Sequence, residues 1–308
     1  MDAKTTQPLV SIVTVNFNQA QATCELLESL KKITYSSIEI FVVDNDSQND
    51  NPDVIKEQFP DITLLKTEKN LGFAGGNNVA LPHCKGKYIL LINNDTEVDP
   101  NFLEPMVNLL ESNSKIGMVS PRVQYFYSPG IIQFAGYTSF NFITIRNFSI
   151  GYSQKDRGQF NNTSESGSIF GAAMLVPLTV IEDVGMMADI FFLYYEEHDW
   201  AAHIREAGYS LYYQGNSLVY HKESLSTGKD SPFKAYYLTR GRILFARRNT
   251  IGLQKLFALL YIFLITTPRI TIGYIIKFKV NHIWAYWRAV WWNLSHRSGI
   301  IFELPKLK

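Results

Sequence analysis

Tyr88–Asp95 reads Y-I-L-L-I-N-N-D: a run of β-branched and large apolar side chains passing directly into two amides and a carboxylate. A short continuous apolar run of this kind fits a strand buried on both faces. Its polar carboxyl end stands where an open α/β sheet holds its ligand. Taken alone, the acid has two readings, ligand group or helix entry. Thr96–Pro100 leads into a helix start, with Asp99 suited to cap it and Pro100 to its first turn.

The flanking segments decide the fold class. Leu9–Val15, L-V-S-I-V-T-V, predicts a buried strand with N-F-N-Q as its turn. Gln19–Lys32 then sets Cys24, Leu27 and Leu30 at helical spacing. Ile38–Val43 is a second strand, ending in Asp44-Asn45-Asp46-Ser47, and Ile62–Leu65 is a short third. Asn70–Asn78, N-L-G-F-A-G-G-N-N, is a glycine-rich turn opening a helix that Pro82 ends or kinks. A helix after Asp99 and a strand at Ile116–Ser120 continue the alternation. Strands alternating with helices predict an α/β fold, a mostly parallel sheet with right-handed crossovers and flanking helices. Loops after Val15, Val43 and Ile92 then share one edge and line one crevice.

Gln124–Gly167 has no clear period and reads as a variable, acceptor-side excursion with some strand. Ser168–Val176 returns to an apolar strand whose centre, Gly171-Ala172-Ala173, admits a close approach to the backbone. Ile190–Tyr195 leads into Glu196-Glu197-His198-Asp199-Trp200, followed by a helix over Ala201–Ala207 that Gly208 ends. Ser217–Tyr220 is the last strand, with His221 at its end.

Composition bounds the surroundings. With 46% hydrophobic and 19% charged residues over 308 positions, the chain is folded rather than disordered. Cys24 and Cys84 offer neither a disulfide framework nor metal spacing, which fits a reducing compartment. The N-terminal M-D-A-K-T-T-Q-P lacks a signal peptide's apolar core, so export is not expected.

The net charge of +1 conceals an asymmetry, because 13 of the 29 Lys/Arg but only one of the 28 Asp/Glu lie in 233–308. That region carries about +12 and the remainder about −11. It also holds Trp284, Trp287, Trp291 and Trp292. Two regions are therefore expected, 1–232 and a helical 233–308. In the second, Leu256–Thr267 is apolar but Pro268-Arg269 interrupts it, so neither part reaches the roughly twenty residues a spanning helix needs. Basic residues interleaved with aromatics fit helices lying on an anionic membrane surface. Ordinary helix packing on the sheet is the alternative. No nucleic-acid partner is expected.

Three separate acidic clusters need explaining together. Asp44 suits a ribose hydroxyl or base edge, and equally a turn. The glycine-rich stretch lacks the G-x-G-x-x-G spacing of a dinucleotide site. Asp95 with His221 makes a hard-metal pair, leaving further positions to diphosphate oxygens and water, although a lone strand-end histidine also serves structure. Glu196, Glu197 and Asp199 put three carboxylates in four residues at a helix start. Repulsion among them raises at least one pKa, as a general base requires. Favourable charge at a helix N-terminus is the other account.

In order along Leu9–Ser226, V-S-I-V-T-V-N-F-N, F-V-V-D-N-D-S, N-L-G-F-A-G-G-N-N, Y-I-L-L-I-N-N-D-T, I-F-G-A-A-M-L-V and Y-Y-E-E-H-D-W, with R-E-A-G-Y and V-Y-H behind, resemble the family 2 inverting glycosyltransferases of the GT-A fold, in particular their bacterial rhamnosyltransferase-like branch. The resemblance implies a GT-A catalytic region over 1–232. Thr14, Val15, Asn16 and Asp44 would hold the base and ribose of a sugar nucleotide, and Gly72 and Asn77 would line its pocket. Asn93-Asn94-Asp95 stands at the family's D-x-D motif and departs from it by two amides. Asp95 and His221 would hold a divalent cation, Mg²⁺ or Mn²⁺. Glu197 falls at the base, and Asp199 and Trp200 on the acceptor side.

The implied donor is a nucleoside-diphosphate sugar, deoxythymidine-diphosphate rhamnose or a uridine-diphosphate sugar. The implied acceptor is a lipid-linked glycan met from the cytoplasm at the inner face of the cell membrane. A processive synthase would add a Q-x-x-R-W motif, whereas Ala246–Asn249 reads A-R-R-N. A catalytically inactive sugar-nucleotide-binding scaffold is the rival from another class.

Overall fold

The computed structural model describes residues 7–223, 230–296 and 303–307. Ser226, where the family resemblance ends, and Arg297 and Lys308 of the basic tail lie outside them. The first half alternates as the periodicity predicts: β1 (Val10–Asn16), α1 (Ala20–Leu30), β2 (Ile38–Asp44), α2 (Asp53–Gln58), β3 (Thr63–Lys66), α3 (Gly72–Ala80) and β4 (Tyr88–Ile92). Next come β5 (Thr96–Val98), α4 (Leu103–Ser112) and β6 (Ile116–Tyr125). The aperiodic middle holds β7 (Ile132–Phe134) and β8 (Ser164–Glu165). It is followed by β9 (Ala173–Pro177), α5 (Leu178–Val184), α6 (Glu196–Glu206) and β10 (Ser210–His221). The tail is α7 (Pro232–Asn249), α8 (Gly252–Leu260), α9 (Thr267–Ile276) and α10 (Val280–Ser295).

All ten strands join one sheet in the order β3-β2-β1-β4-β9-β6-β10-β5, with β7 on β6 and β8 on β10. β1, β2, β3, β4, β6 and β10 point one way, and β5, β7, β8 and β9 the other. The sheet is mostly parallel and flanked by helices. From β1 the chain winds out to β2 and β3, then returns to place β4 on β1's other side. That reversal opens a crevice at the carboxyl ends of β1 and β4.

β4 shows why its run is apolar throughout. Tyr88, Leu90 and Ile92 enter the core on one face, Ile89 and Leu91 the core on the other, and none is more than 3% exposed. Alternation across a pleat sends both sets inward.

Several boundaries differ from the periodicity, each for a local reason. α4 is entered through Phe102, three residues beyond Asp99, whose carboxylate accepts from the Asn101 amide in a turn instead. Of Ser168–Ala172, which precedes the strand, Ala172 O still accepts from the Asn93 amide at 2.9 Å, where the contact of β4 with β9 ends. α6 starts at Glu196, which brings the acidic cluster into its first turn. β10 is longer than expected because a bulge between Gln214 and Leu218 hides its period. In the tail, Gly252–Ile276 is one continuous 25-residue helix. Pro268 does not interrupt it: the turn Tyr261–Thr266 is π-helical, and Thr267 Oγ1 donates to Ile262 O at 2.9 Å. Position 232/233 falls within one core, since Ile243, Leu244 and Phe245 of α7 share a cluster with Val13, Phe41 and Met174.

Candidate active site

The register of the parallel strands assembles the site. Asn16 pairs with Asp44 across β1 and β2, and β4 lies on β1's other side. A directed chain of hydrogen bonds ties these ends together. Asn94 Nδ2 donates to Thr23 Oγ1 (3.0 Å), Thr23 Oγ1 to Asn16 Oδ1 (2.9 Å), and Asn16 Nδ2 to Asp44 Oδ1 (2.8 Å). The chain needs a donor at its head. An aspartate at 94 could not provide one, which accounts for the amide at the middle position of N-N-D. Asp44 also accepts from Ser47 Oγ and the Ser47 amide, and is 3% exposed.

These strand ends open on a cavity of about 440 Å³. Val15, Gly72, Asn93, Asn94, Asp95, Glu197 and His221 line it; Thr14, Asn16, Asp44 and Asn77 stand behind its wall. Asn45 rather than Asp44 reaches the cavity, clamping the α3 entrance by donating to Gly72 O (3.0 Å) and accepting from the Leu71 amide (2.9 Å). Thr14 is fully buried, and its hydroxyl has no partner among the described residues. Asn77 donates to Phe73 O within its own helix.

Antiparallel pairing of β5 with β10 sets His221 opposite Thr96, and so beside Asp95, across 126 positions of sequence. His221 Nε2 lies 3.1 Å from Asp95 Oδ1, while Nδ1 contacts Gln133 Oε1 at 2.8 Å. An amide oxygen only accepts, so Nδ1–H donates to Gln133 and Nε2 is the atom that faces the carboxylate. A proton on Nε2, or a divalent cation held by both atoms, would answer the carboxylate. Among the described residues no group of three or more His, Cys, Asp or Glu gathers at one point. A cation would therefore depend on oxygen donors from a bound diphosphate.

The opposite wall is Phe192–Tyr195, where Phe192, Tyr194 and Tyr195 all have positive φ (63°, 66° and 78°). Three such residues store strain, of order 1–3 kcal/mol each. α7 and α3 hold the strap. Arg240 donates to Ile190 O (2.8 Å) and to Phe191 O, and the Phe73 amide to Phe192 O (2.6 Å). Gly72, at φ +71°, is required here, because a Cβ would lie 2.1 Å from Phe192 O.

Glu196 and Glu197 have different environments. Glu196 is 3% exposed, and burial together with the neighbouring Glu197 pushes its carboxyl well above the usual carboxylate range. Glu197 is less buried, and its side chain lies against Gly171 in the cavity wall. Asp199 and Trp200, expected on the acceptor side, sit away from the cavity. Asp199 is fully buried in a two-point pair with Arg248 (2.9 and 3.0 Å) and also accepts from Asn249 (2.7 Å). Trp200 donates to Gly185 O (2.8 Å). Both join α6 to its neighbours. Sequence reasoning missed Thr23, Asn45 and Gln133. Asn45 had a signal in its strand-end position beside Asp44, whereas Gln133 lies in the aperiodic middle and had none.

The family model of glycosyl transferase family 2 matches residues 11–172. YwdF, an uncharacterized glycosyltransferase of Bacillus subtilis, is 31% identical over 105 residues, 33% of this chain and 38% of that protein. WfgD of Escherichia coli, a UDP-Glc:alpha-D-GlcNAc-diphosphoundecaprenol beta-1,3-glucosyltransferase, is 32% identical over 108 residues, 34% of this chain and 42% of its own. The chain thus spans less than half the length of these curated relatives. Among solved structures, the mannosyltransferase PcManGT from Pyrobaculum calidifontis, in complex with GDP-Man and Mn²⁺, is similar at a TM-score of 0.60. The identity is 16%, with 96% of this chain and 77% of that one covered, and the likeness is one of fold.

Proposed function

The chain belongs to glycosyl transferase family 2, and from that premise we propose that it moves a sugar from a nucleoside-diphosphate donor to an acceptor hydroxyl with inversion, using Glu197 as general base. One observation carries the reading: Glu197 and the Asp95–His221 pair line the same cavity. Glu197 takes the proton of the acceptor hydroxyl as its oxygen bonds to the anomeric carbon. The nucleoside diphosphate departs from the opposite face. Asp95 and His221 would hold Mg²⁺ or Mn²⁺, which offsets charge on the diphosphate. Asn93, Asn94, Val15 and Gly72 line the donor side. Asp44, Asn16 and Thr14 support it from behind, and Asn77 supports α3.

For the donor, the similarity to WfgD, a UDP-Glc-dependent glucosyltransferase, supports a uridine-diphosphate sugar. Deoxythymidine-diphosphate rhamnose rests on the motif resemblance. A lipid-linked acceptor is supported by the tail. Val280, Trp284, Trp287, Trp291 and Leu294 of α10 recur at steps of four and three, all at least 38% exposed. Leu253, Leu256, Leu260, Leu264 and Ile272 continue an exposed apolar face along the 25-residue helix. That helix is long and apolar enough to cross a membrane. Its opposite face, Ala258, Ile262 and Thr266, is buried, so we place it lying on the cytoplasmic face of the membrane.

Incubation with a panel of labelled sugar nucleotides tests the enzyme reading through release of nucleoside diphosphate. Glu197→Gln is expected to lower turnover by about 10²–10⁴-fold, the usual contribution of a general base. If wild type and variant are equally inert across the panel, the inactive scaffold takes the enzyme's place.

A further inference from the structure

We propose that His198 is the positioning residue of the base: Ser168 holds its imidazole so that Nε2–H faces the Glu197 carboxylate and keeps it aimed. The proposal rests on the reading of Glu197 as base. Adjacent residues on a helix do not normally face each other. Here His198 Nε2 nevertheless comes within 4.0 Å of Glu197 Oε1. The ring is boxed edge-on by Tyr137, Phe140 and Tyr195, with centroids at 5.4, 5.8 and 5.6 Å, which restricts its rotation. Its Nδ1 lies 2.7 Å from Ser168 Oγ, and Ser168 is 2% exposed.

Burial holds the His198 imidazole below its ordinary pKa despite the upward pull of Glu197, so the ring carries one N–H. If that proton sat on Nδ1, the Nε2 lone pair would oppose a carboxylate. With Ser168 Oγ–H donating to Nδ1, the proton sits on Nε2 and its dipole attracts the carboxylate. Tyr137 and Tyr195 are the titratable neighbours on the ring's faces. On its far side a second cavity of about 140 Å³ brings Arg205 of the same helix to the same space. A hydrogen-bearing dipole facing the ionised form favours that form. The imidazole thereby counters Glu196, whose crowding beside Glu197 works against a second charge.

The test is the pH profile of kcat/KM for His198→Ala, His198→Gln and Ser168→Ala, each checked for folding by thermal melting. His198→Ala is expected to lower kcat by about tenfold, the lower end for lost orienting partners, with donor KM unchanged. Its acid limb should move up by about one pH unit. His198→Gln, which keeps an N–H on a similar reach, should restore most of the limb, and Ser168→Ala should move it by less than His198→Ala. An acid limb coincident with wild type in His198→Ala overturns the proposal, as does an alanine variant indistinguishable from the glutamine one. Should His198→Ala fail to fold, the glutamine and Ser168 variants decide alone. Retained activity in Glu197→Gln would instead locate the failure in the base assignment.

Discussion

At the scale of single residues, the site depends on which atoms must donate and which must accept. Asn94 heads a donor chain ending on Asp44, so its amide is a positional requirement rather than a loss of charge. Gln133 tethers the His221 ring at Nδ1 from 88 positions away. Chelator is accordingly expected to weaken nucleoside-diphosphate binding by calorimetry, and His221→Ala to weaken it partially; unchanged affinity in both would remove His221 from the site. Glu196 adds a pH dependence whose sign is determinate. Its folded carboxyl is raised, so between its ordinary value of 4.5 and that raised value the folded state binds the extra proton. Stability contributed there is lost as pH rises, at about 1.4 kcal/mol per pH unit. Glu196→Gln should melt with wild type near pH 4 and increasingly above it at higher pH. A constant offset across pH would argue against this account.

At the scale of elements, α6 and α7 act as one piece. The Asp199–Arg248 pair is fully desolvated on both sides, and Arg240 reaches from α7 to the strained strap. Removing one partner of such a pair leaves a buried charge unanswered, at a cost of about 3–5 kcal/mol. Arg248→Met should lower stability by that amount in a denaturant titration, while Asp199→Asn with Arg248→Met together should recover part of it. No recovery in the double variant would mean that the pair is not the origin of the loss. Sequence spacing put Asp199 with the reactive acids because it stands two residues from Glu197. The helical turn of about 100° per residue directs it to another face.

At the scale of the whole molecule, the tail's charge and its packing must be separated. Arg240, Arg242 and Arg248 are each under a tenth exposed, so the excess of about +12 overstates what a membrane meets. In the membrane docking proposed above, the apolar stripe would then carry more of the contact. Replacing Trp284, Trp287 and Trp291 together by Ser should reduce binding to anionic vesicles by at least tenfold in sedimentation, with the melting curve retained because all three are exposed. Undiminished binding would remove α10 from the membrane contact. Deleting 233–308 is a poorer test, since α7 fills the core beneath the sheet.

Local signals reached far into this protein. The run Tyr88–Ile92, the alternation of periods and the glycine-rich α3 entrance specify the parallel half of the sheet, because burial on two faces imposes continuous apolar strands. Acidic strand ends and the first turn of α6 marked out the crevice. What stayed illegible depends on contacts between residues distant in sequence. Sequence spacing does not give the Gln133 tether, the strap over Gly72 or the inward turn of Asp199, although it had already paired Asp95 with His221. Each arises when β10, β7 and α7 close on the sheet and local propensity yields to the geometry of packing.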